Sequence, residues 1–450
     1  MEDWLNKIEE WVWGYPLLIL LIATGLYLTI ATRGVQFRYI FYSLKLAFSR
    51  HDDSAQGDIS HFQALMTALA ATIGIGSITG VATAVAAGGM GALFWIWVSA
   101  LIGMATKYSE AILAIKYRTI DGKNEMCGGP MYYLERGMKS KFLAVFFASV
   151  GAITAIGTGN MVQANSVSTA LSGFLNVSPW ITGIILAFLT ALALFGGIKS
   201  IGKVASYLVP AMAVFYIAGG VIVILLKATL IPSALVLIFK SAFTGQAATG
   251  GFLGSTFMMA VQYGISRGVF SSESGLGSAP IAAAAAKTDV PGRQALISMS
   301  GVFITSFIVV TITGLAIAVT GVLGATGPDG QLLEGSTLTL TAFNTIFPNA
   351  SIIVTISLIM FAYSTILGWA YYGEKCVEYL FGLKSVTGYR IIYTVALILG
   401  AVLSIKTVWS FANIMNGLMA FPNLIGLIGL AAIVRVETKS FDRLVKKERK

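Results

Sequence analysis

The segment ATIGIGSITG, residues 71–80, places three glycines and two hydroxyl residues in the middle of a hydrophobic run long enough to cross a membrane. Glycine costs about 1 kcal/mol in a helix interior, so this composition weakens the helix at its centre. Gly74 and Gly76 would project to nearly opposite sides of a helix, and one packing face cannot use both. A GxxxG packing pair of Gly76 and Gly80 is the alternative. The pattern favours a local break, after which Ser77 would cap the restarting helix.

The rest of the chain has the composition of a membrane protein. Of 450 residues, 56% are hydrophobic and 11% are charged, and the mean hydropathy is +0.81. A membrane-spanning helix needs about 20 mostly apolar residues. Eleven such runs predict an all-α, multi-pass protein of the cell membrane, surrounded by the lipid bilayer. The runs lie at about 16–32, 64–84, 90–116, 141–173, 180–196, 205–226, 254–286, 295–324, 351–373, 387–405 and 408–434.

The net charge of +10 follows from the distribution of basic residues among the loops. Of the 30 Lys and Arg residues, 25 fall in one alternating set of loops, at 33–63, 107–141, 197–204, 287–294, 374–390 and the C-terminal tail. The positive-inside rule places this set in the cytoplasm, with the N-terminus outside and the C-terminus inside. We therefore expect no nucleic-acid partner. Cys127 and Cys376 map to the cytoplasmic side, where we expect reduced thiols.

A second glycine cluster, FSSESGLGSAP at residues 270–280, lies in the seventh run. Each cluster lies in the first span of a set of five. Because five spans carry the chain to the other side of the membrane, the first set starts in the cytoplasm and the second starts outside, and the two sets have opposite orientations. The chain then divides into an extra span with an amphipathic helix (1–63), a first five-helix repeat (64–226), an inverted second repeat (254–434) and a basic tail (435–450). Paired glycine-interrupted spans in two inverted halves indicate the binding site of a transporter.

The two breaks have the chemistry to bind an amino acid and a cation. A helix that restarts presents free N–H groups to a carboxylate, and a helix that ends presents free carbonyls to a cation. In the second break, Ser278 is a predicted N-cap, with Pro280 in the following turn. Glu273 lies at membrane depth, and such residues are usually functional. It either forms a structural ion pair with Arg267 or shapes the binding of a cation or a substrate ammonium.

Further polar residues lie in the fourth and ninth spans. Gln163 either binds substrate or joins helices through hydrogen bonds. Ser364 and Thr365 offer the neutral oxygen ligands that a sodium ion accepts. Trp369, one turn further along, either packs against neighbouring helices or closes the pocket.

Five motifs resemble the alanine or glycine:cation symporter family of the amino acid–polyamine–organocation superfamily: GIGSITGVATAVAAGGMGALFWIW, GGPMYYLERG, NMVQANSVS, SSESGLGSAPIAAAAA and GWAYYGEK. The resemblance implies a leucine-transporter-type fold of two inverted five-helix repeats, here with one extra N-terminal helix. It also implies symport of small neutral amino acids such as alanine and glycine with sodium or protons, by alternating access and without an organic cofactor.

The resemblance also assigns site residues. By position, the substrate would contact Thr72, Gly74, Gly76, Ser77, Thr79, Ser272, Glu273, Ser274 and Gly277. A sodium ion would take backbone oxygens near Ala70 and Ile73 together with the hydroxyls of Ser364 and Thr365. Family members usually carry Asn at the position of Ser77 and Asn-Glu-Ala at 272–274, so an ion site that relies on Ser77 or Ser272 is in doubt here.

An enzyme and a channel are the two alternative classes of function. An enzyme would need positioned acids, bases or metal ligands, and the chain has only two His residues and no HExxH motif. A cation-selective or amino-acid-permeable channel is the stronger alternative, because broken helices also build selectivity filters. Two antiparallel halves around two breaks favour a transporter.

Overall fold

The computed structural model describes residues 2–49, 55–244, 256–327, 330–346, 348–403 and 405–448, and they are almost entirely helical. The helices are α1 (Glu2–Val12), α2 (Tyr15–Ala31), α3 (Val35–Ala47), α4 (His61–Thr72), α5 (Thr79–Gly88), α6 (Gly91–Lys116), α7 (Pro130–Arg136), α8 (Lys141–Ile156), α9 (Val162–Leu175), α10 (Pro179–Phe195), α11 (Gly197–Leu225), α12 (Ile231–Thr244), α13 (Phe257–Ser272), α14 (Ala279–Ala284), α15 (Pro291–Val302), α16 (Val310–Thr320), α17 (Gly335–Asn344), α18 (Ser351–Phe381), α19 (Ser385–Val402), α20 (Ile405–Gly429) and α21 (Ala431–Glu448).

Shorter elements connect some of these helices. Strands β1 (Thr119–Ile120) and β2 (Met126–Cys127) form an antiparallel hairpin between α6 and α7. Single 3-10 turns occupy Ile75–Ser77 and Ala228–Leu230, and π-helical turns occupy Gly157–Met161 and Phe303–Val309.

Eight helical runs in the described residues have the length and composition to cross a membrane, or nine if α4 and the segment Ile75–Gly88 form one span bent by 63°. The predicted spans at 180–196 and 254–286 correspond to the 17-residue helix α10 and to α13 with α14. The count of eleven spans stays a prediction. The predicted second repeat begins at 254, and residues 254 and 255 lie outside the described part of the chain.

The first break separates α4 from α5. A capping box of Ser60 and Gln63 starts α4, which ends at Thr72. Gly74 is extended, and a single 3-10 turn leads to Ile78, the N-cap position of α5, which has no side-chain cap. The predicted cap at Ser77 is therefore wrong, because the 3-10 turn places Ser77 one residue too early.

The GxxxG alternative for the first break is also wrong. A Cβ atom placed on Gly80 would meet no other atom within 4 Å among the described residues, so no neighbouring helix packs closely there. A Cβ on Gly76 would lie 3.1 Å from the ring of Phe270 in the second broken span. Gly76 therefore allows the two breaks to approach each other.

The second break separates α13 from α14 and uses left-handed backbone. Glu273, Gly275 and Gly277 have φ angles of 53°, 91° and 80°. Ser278 occupies the N-cap position of α14 and Pro280 lies in its first turn, as predicted. The Ser278 hydroxyl donates to Glu273 and does not cap the helix.

Two lysines counted with the cytoplasmic loops are buried inside helices. Lys107 is in α6 and Lys375 is in α18, and both side chains are buried. Their assignment to loops is wrong. The Lys107 ammonium donates to the Ser272 carbonyl and the Lys375 ammonium pairs with the Asp121 carboxylate, so both charges are compensated and the helices continue past them. The C-terminal tail likewise forms helix α21, which packs against the other helices.

Candidate functional site

The two breaks face each other across a small enclosed cavity at the centre of the bundle. Its volume is about 20 Å³, little more than one water molecule occupies. The residues that line it come from both breaks and from α18, α20 and the start of α9. They are Ala71, Thr72, Gly74, Gly76, Thr158, Gln163, Phe270, Glu273, Thr365, Trp369 and Asn416.

Glu273 supplies the negative charge beside this cavity. Its Oε1 accepts a hydrogen bond from Trp369 Nε1 at 2.9 Å, and its Oε2 accepts one from Ser278 Oγ at 2.7 Å. Among the described residues it forms no ion pair with Arg267, whose guanidinium lies 5.8 Å from the ring centroid of Phe270. The structural ion-pair interpretation of Glu273 is therefore wrong, and the carboxylate is directed to the cavity by Trp369.

Two unpartnered amide oxygens lie beside the same cavity. Gln163 Oε1 and Asn416 Oδ1 are buried and have no hydrogen-bond partner in the described part of the chain. The other end of the Gln163 amide donates to Thr158 O at 3.1 Å, in the π-helical turn that precedes α9. Such turns expose backbone carbonyls and are frequent at functional sites. A buried acceptor without a partner is costly, so these oxygens are suited to a bound donor.

The first break presents the opposite polarity. The backbone N–H groups of Gly74, Ile75 and Gly76 donate no backbone hydrogen bond within the described residues. Free N–H groups of this kind bind anions. Gly74 and Gly76 line the cavity, so donors without a backbone acceptor lie beside it together with the unpartnered oxygens of Gln163 and Asn416.

Three of the four predicted sodium ligands lie together at the end of α4. Ser364 Oγ and Thr365 Oγ1 each lie 3.1 Å from the Ala70 carbonyl oxygen, and Thr365 Oγ1 also lies 3.4 Å from Ala71 O. These carbonyls belong to the last turn of α4, which has no following turn to bond to them. Ile73 ends that helix with its N–H 2.7 Å from Leu69 O, and no described contact joins it to the two hydroxyls.

Five predicted substrate residues do not line the small cavity. Ser77 Oγ lies 3.1 Å from Ser271 Oγ, and Thr79 lines a larger, outer cavity. Ser272 Oγ accepts from the N–H of Ser274 at 3.4 Å, and Gly277 faces away from the cavity toward α6. The structure brings together six predicted substrate residues: Thr72, Gly74, Gly76, Gln163, Glu273 and Trp369.

The residues that hold the second break were missed. Glu110 Oε1 accepts hydrogen bonds from the N–H groups of Gly275 and Gly277, both at 3.1 Å, and from Asn423 Nδ2 at 2.7 Å. Lys107 Nζ donates to Ser272 O at 3.0 Å. The sequence does contain a signal for these residues: Lys107 and Glu110 are an ionisable pair, three positions apart, in the apolar run at 90–116. Assigning Lys107 to a loop concealed it.

The larger cavity, here called the vestibule, has a volume of about 870 Å³ and opens beside α1. Its lining includes Glu9, Thr79, Arg267 and Glu334. The Phe270 ring, which lines the small cavity, stacks on Trp409, which lines the vestibule, with centroids 6.4 Å apart. This aromatic pair separates the two cavities.

A second charged cluster surrounds Lys375. Its ammonium lies 2.9 Å from Glu378, 3.4 Å from Asp121 and 3.5 Å from Glu125 in the β1–β2 hairpin. Burial disfavours the charged form of Asp121, but the backbone N–H groups of Glu125 and Lys123 and the Lys375 ammonium outweigh it and lower the pKa of Asp121. These ion pairs tie α18 to the hairpin.

The same cluster has the donor types of a metal site but is occupied by the ammonium. Asp121, Cys127 and Glu378 place one ligand atom each within 4.8 Å of one another. Lys375 Nζ lies 3.4 Å from Cys127 Sγ, so a positive charge already fills the space between them. Burial raises the pKa of the Cys127 thiol to about 12, which disfavours the thiolate that a metal requires. The donor set does not fit a metal ion.

Comparison with known proteins agrees with this geometry. The model of the sodium:alanine symporter family matches residues 1–450. The chain is 52% identical over 451 residues to the sodium/alanine symporter AgcS of Methanococcus maripaludis, covering 99% of this chain and 98% of that protein. It is 34% identical to the probable sodium/glutamine symporter GlnT of Bacillus subtilis, covering 98% and 91%.

The fold is similar to that of a solved transporter. A Na+-coupled sialic acid symporter, determined in a substrate-bound outward-open state, superposes with a TM-score of 0.57 at 13% identity, covering 92% of this chain and 87% of that one. Neither the family nor this fold supports the channel alternative. The chain belongs to the sodium:alanine symporter family and is therefore a multi-pass membrane transporter and not an enzyme.

Proposed function

We propose that this protein imports a small neutral amino acid, alanine or glycine, together with sodium. The observation that carries the proposal is the enclosed cavity between the two breaks, with N–H groups that lack a backbone acceptor and unpartnered oxygens beside it. An α-amino acid has the matching arrangement of a carboxylate and an ammonium on one carbon. Transport would follow alternating access between two inverted repeats.

Each group of the substrate has a proposed partner. The carboxylate would bind the N–H groups of Gly74, Ile75 and Gly76, and the ammonium would bind Glu273 and the free oxygens of Gln163 and Asn416. This pairing explains why the donors in the cavity belong to the first break and the charged acceptor belongs to the second.

Two aromatic rings limit the space at the proposed site. Phe270 and Trp369 close on a space of about 20 Å³, so a substrate enters only when these rings move outward. Relatives of this chain are named for alanine and for glutamine. A longer side chain requires the rings to move further, so we propose that alanine binds better than glutamine, with each added methylene changing the binding free energy by about 1–3 kcal/mol.

We propose a single sodium site, formed by the Ala70 carbonyl with the hydroxyls of Ser364 and Thr365. Neutral oxygen ligands suit sodium better than a proton. Ser77 is engaged with Ser271, and the Ser272 hydroxyl accepts from its own backbone turn. These contacts support the interpretation that Ser77 and Ser272, which stand where family members usually carry Asn, do not bind a second sodium ion.

We further propose eleven spans with the N-terminus outside and the C-terminus in the cytoplasm, grouped as repeats 64–226 and 254–434. Under this topology the vestibule opens to the outside, because α1 lines it. The ion pairs of Lys375 then lie on the cytoplasmic side of the protein and would keep the cytoplasmic entrance closed. The described conformation would be outward-facing, with the aromatic pair of Phe270 and Trp409 over the substrate site.

Uptake into proteoliposomes tests the transport proposal. We expect labelled alanine to accumulate above its external concentration when sodium is higher outside, and an inward proton gradient alone to give no accumulation. Uptake that only equilibrates alanine, or single-channel conductance in planar bilayers, would contradict a symporter.

The sodium site is tested by Thr365→Val, which keeps the shape of the side chain and removes its oxygen. We expect the sodium concentration for half-maximal uptake to rise at least about tenfold, since a hydrogen-bonding or ligand oxygen of a buried charge contributes about 1.5–3 kcal/mol. Thr355→Val is the matched control, because Thr355 lies on the same helix and, among the described residues, its hydroxyl donates to the backbone oxygen of Ser351 alone. An equal effect of both substitutions would exclude a local sodium site.

A further inference from the structure

The acidic residues of helix α21 are paired with other helices, whereas its basic residues are not. Its three acidic residues each pair with another helix, in the ion pairs Lys116–Glu437 (2.5 Å), Arg38–Asp442 (3.0 Å) and Arg293–Glu448 (2.6 Å). Its described basic residues form no ion pair with any described residue; they are Arg435, Lys439, Arg443, Lys446 and Lys447. The acids attach the helix to the protein and leave its positive charge without a partner.

Three of these basic residues share one face of the helix. Lys439, Arg443 and Lys446 follow at intervals of four and three residues, which places them one above the other. All three side chains are exposed. Val434, Phe441 and Val445 lie on the buried side, so the basic face points away from the bundle.

A cavity of about 310 Å³ lies along this face. Its lining consists of Arg33, Lys439, Asp442, Arg443 and Lys446. Asp442 does not neutralise the four cations, because its two carboxylate oxygens accept from Arg38 and from Tyr39, the latter at 2.9 Å. Arg33 has a left-handed backbone with φ 58°, a conformation that glycine adopts more readily. The fold thus holds an arginine at a backbone position unfavourable to it, beside three other cations.

The position of this cavity indicates its ligand. Arg33 follows the run Lys7–Ala31, which has the length and composition of a membrane span, so the cavity lies near the depth of lipid headgroups. The adjoining helix α3 exposes Phe37 and Phe41, the latter with 84% of its surface accessible. Exposed aromatic residues beside basic residues are typical of a helix at a membrane surface.

We infer that Arg33, Lys439, Arg443 and Lys446 form a binding site for the phosphate of an anionic lipid headgroup. The arginines can bind a phosphate with paired hydrogen bonds, and the lysines add positive charge. The site lies where α2, α3 and α21 meet and is distant in sequence from both breaks. Its occupancy would link the C-terminal helix to the first span.

The test uses the full-length protein in an uncharged detergent, titrated with phosphatidylglycerol while its thermal unfolding is followed. The site variant carries Arg33→Gln, Lys439→Gln, Arg443→Gln and Lys446→Gln. The matched control removes the same charge elsewhere, with Lys139→Gln, Lys141→Gln, Lys203→Gln and Lys384→Gln, all of which are exposed. Phosphatidylcholine and inorganic phosphate are titrated in parallel.

We expect phosphatidylglycerol to raise the unfolding temperature of the wild type and the control with the same concentration dependence. For the site variant we expect an apparent affinity at least about tenfold weaker, since each basic residue near an anionic surface contributes about fivefold. If the apparent affinity for phosphatidylglycerol falls equally in both variants, the lipid responds to net charge alone and the proposed site is wrong. Equal stabilisation by inorganic phosphate would overturn the assignment to a lipid.

Discussion

The two breaks differ in how their backbone is held. The second break has three residues with left-handed backbone, and the N–H groups of Gly275 and Gly277 are both bonded by the buried carboxylate of Glu110. The first break has an extended Gly74, and the N–H groups of Gly74, Ile75 and Gly76 have no backbone acceptor among the described residues. The protein itself satisfies the second break, whereas the first break is left for a ligand to satisfy. Substitutions in the second should therefore reduce stability, and substitutions in the first should reduce transport.

The largest effect is expected for Glu110→Ala. It leaves the N–H groups of Gly275 and Gly277 without their acceptor and removes one of the two hydrogen bonds of Asn423 Nδ2, which still donates to Gly275 O. A buried donor without a partner costs about 1–3 kcal/mol. We expect a loss of about 3–5 kcal/mol of stability, measured by thermal unfolding in detergent. Glu110→Gln keeps one oxygen for these donors and should lose less. An unfolding temperature equal to wild type for Glu110→Ala would show that the second break does not depend on this carboxylate.

Gly277→Ala should give the next largest loss of stability. The residue has a φ of 80°, and an added Cβ would lie 2.6 Å from Pro130 Cγ and 2.8 Å from the ring of Phe147. Left-handed backbone and overpacking together predict a loss of about 2–4 kcal/mol. The measurement is again thermal unfolding. A stable Gly277→Ala variant with normal transport would contradict a rigid second break.

Gly74→Ala should reduce stability less than Gly277→Ala and should impair sodium-coupled uptake. Its φ of −110° is open to alanine, but the new Cβ would lie 2.5 Å from Thr365 Oγ1 and displace the hydroxyl proposed to bind sodium. We expect the sodium concentration for half-maximal uptake to rise about tenfold, as for loss of that oxygen. A large fall in unfolding temperature with an unchanged sodium dependence of uptake would contradict the claim that the first break serves ligand binding and not stability.

Gly80→Ala should have the smallest effect. The Cβ meets no described atom within 4 Å, and alanine favours the helix by up to about 1 kcal/mol. Uptake and unfolding temperature should match or slightly exceed those of the wild type. Reduced stability would restore the helix-packing explanation of the first glycine cluster.

The sequence predicted the parts of the site that depend on local pattern. Two glycines with opposite projections predicted the first break. The N-cap position of Ser278 and the proline at 280 predicted where α14 restarts, although the Ser278 hydroxyl does not cap the helix. Glu273 was recognised because a charge at membrane depth is costly. Each of these signals lies within about ten consecutive residues.

The parts that depend on long-range contacts were not predictable in this way. Glu110 acts through backbone donors 165 and 167 positions away, and Ser77 proved to contact Ser271. The apolar run at 90–116 includes Lys107, but the count of loop charges assigned this lysine to the loop 107–141, although a carbonyl of the second break accepts a hydrogen bond from its ammonium. Neither spacing nor composition carries information about such pairings.

The most direct test of the two-break site is sodium-dependent binding of labelled alanine to Glu273→Gln. Glutamine keeps an oxygen for Trp369 and removes the charge proposed to hold the ammonium. The control is Glu334→Gln, an exposed carboxylate of the vestibule. We predict that alanine affinity falls about 10- to 100-fold for Glu273→Gln, the effect of losing a charged hydrogen bond, and is unchanged for Glu334→Gln. Wild-type affinity in a folded Glu273→Gln protein would contradict a site shared by the two breaks.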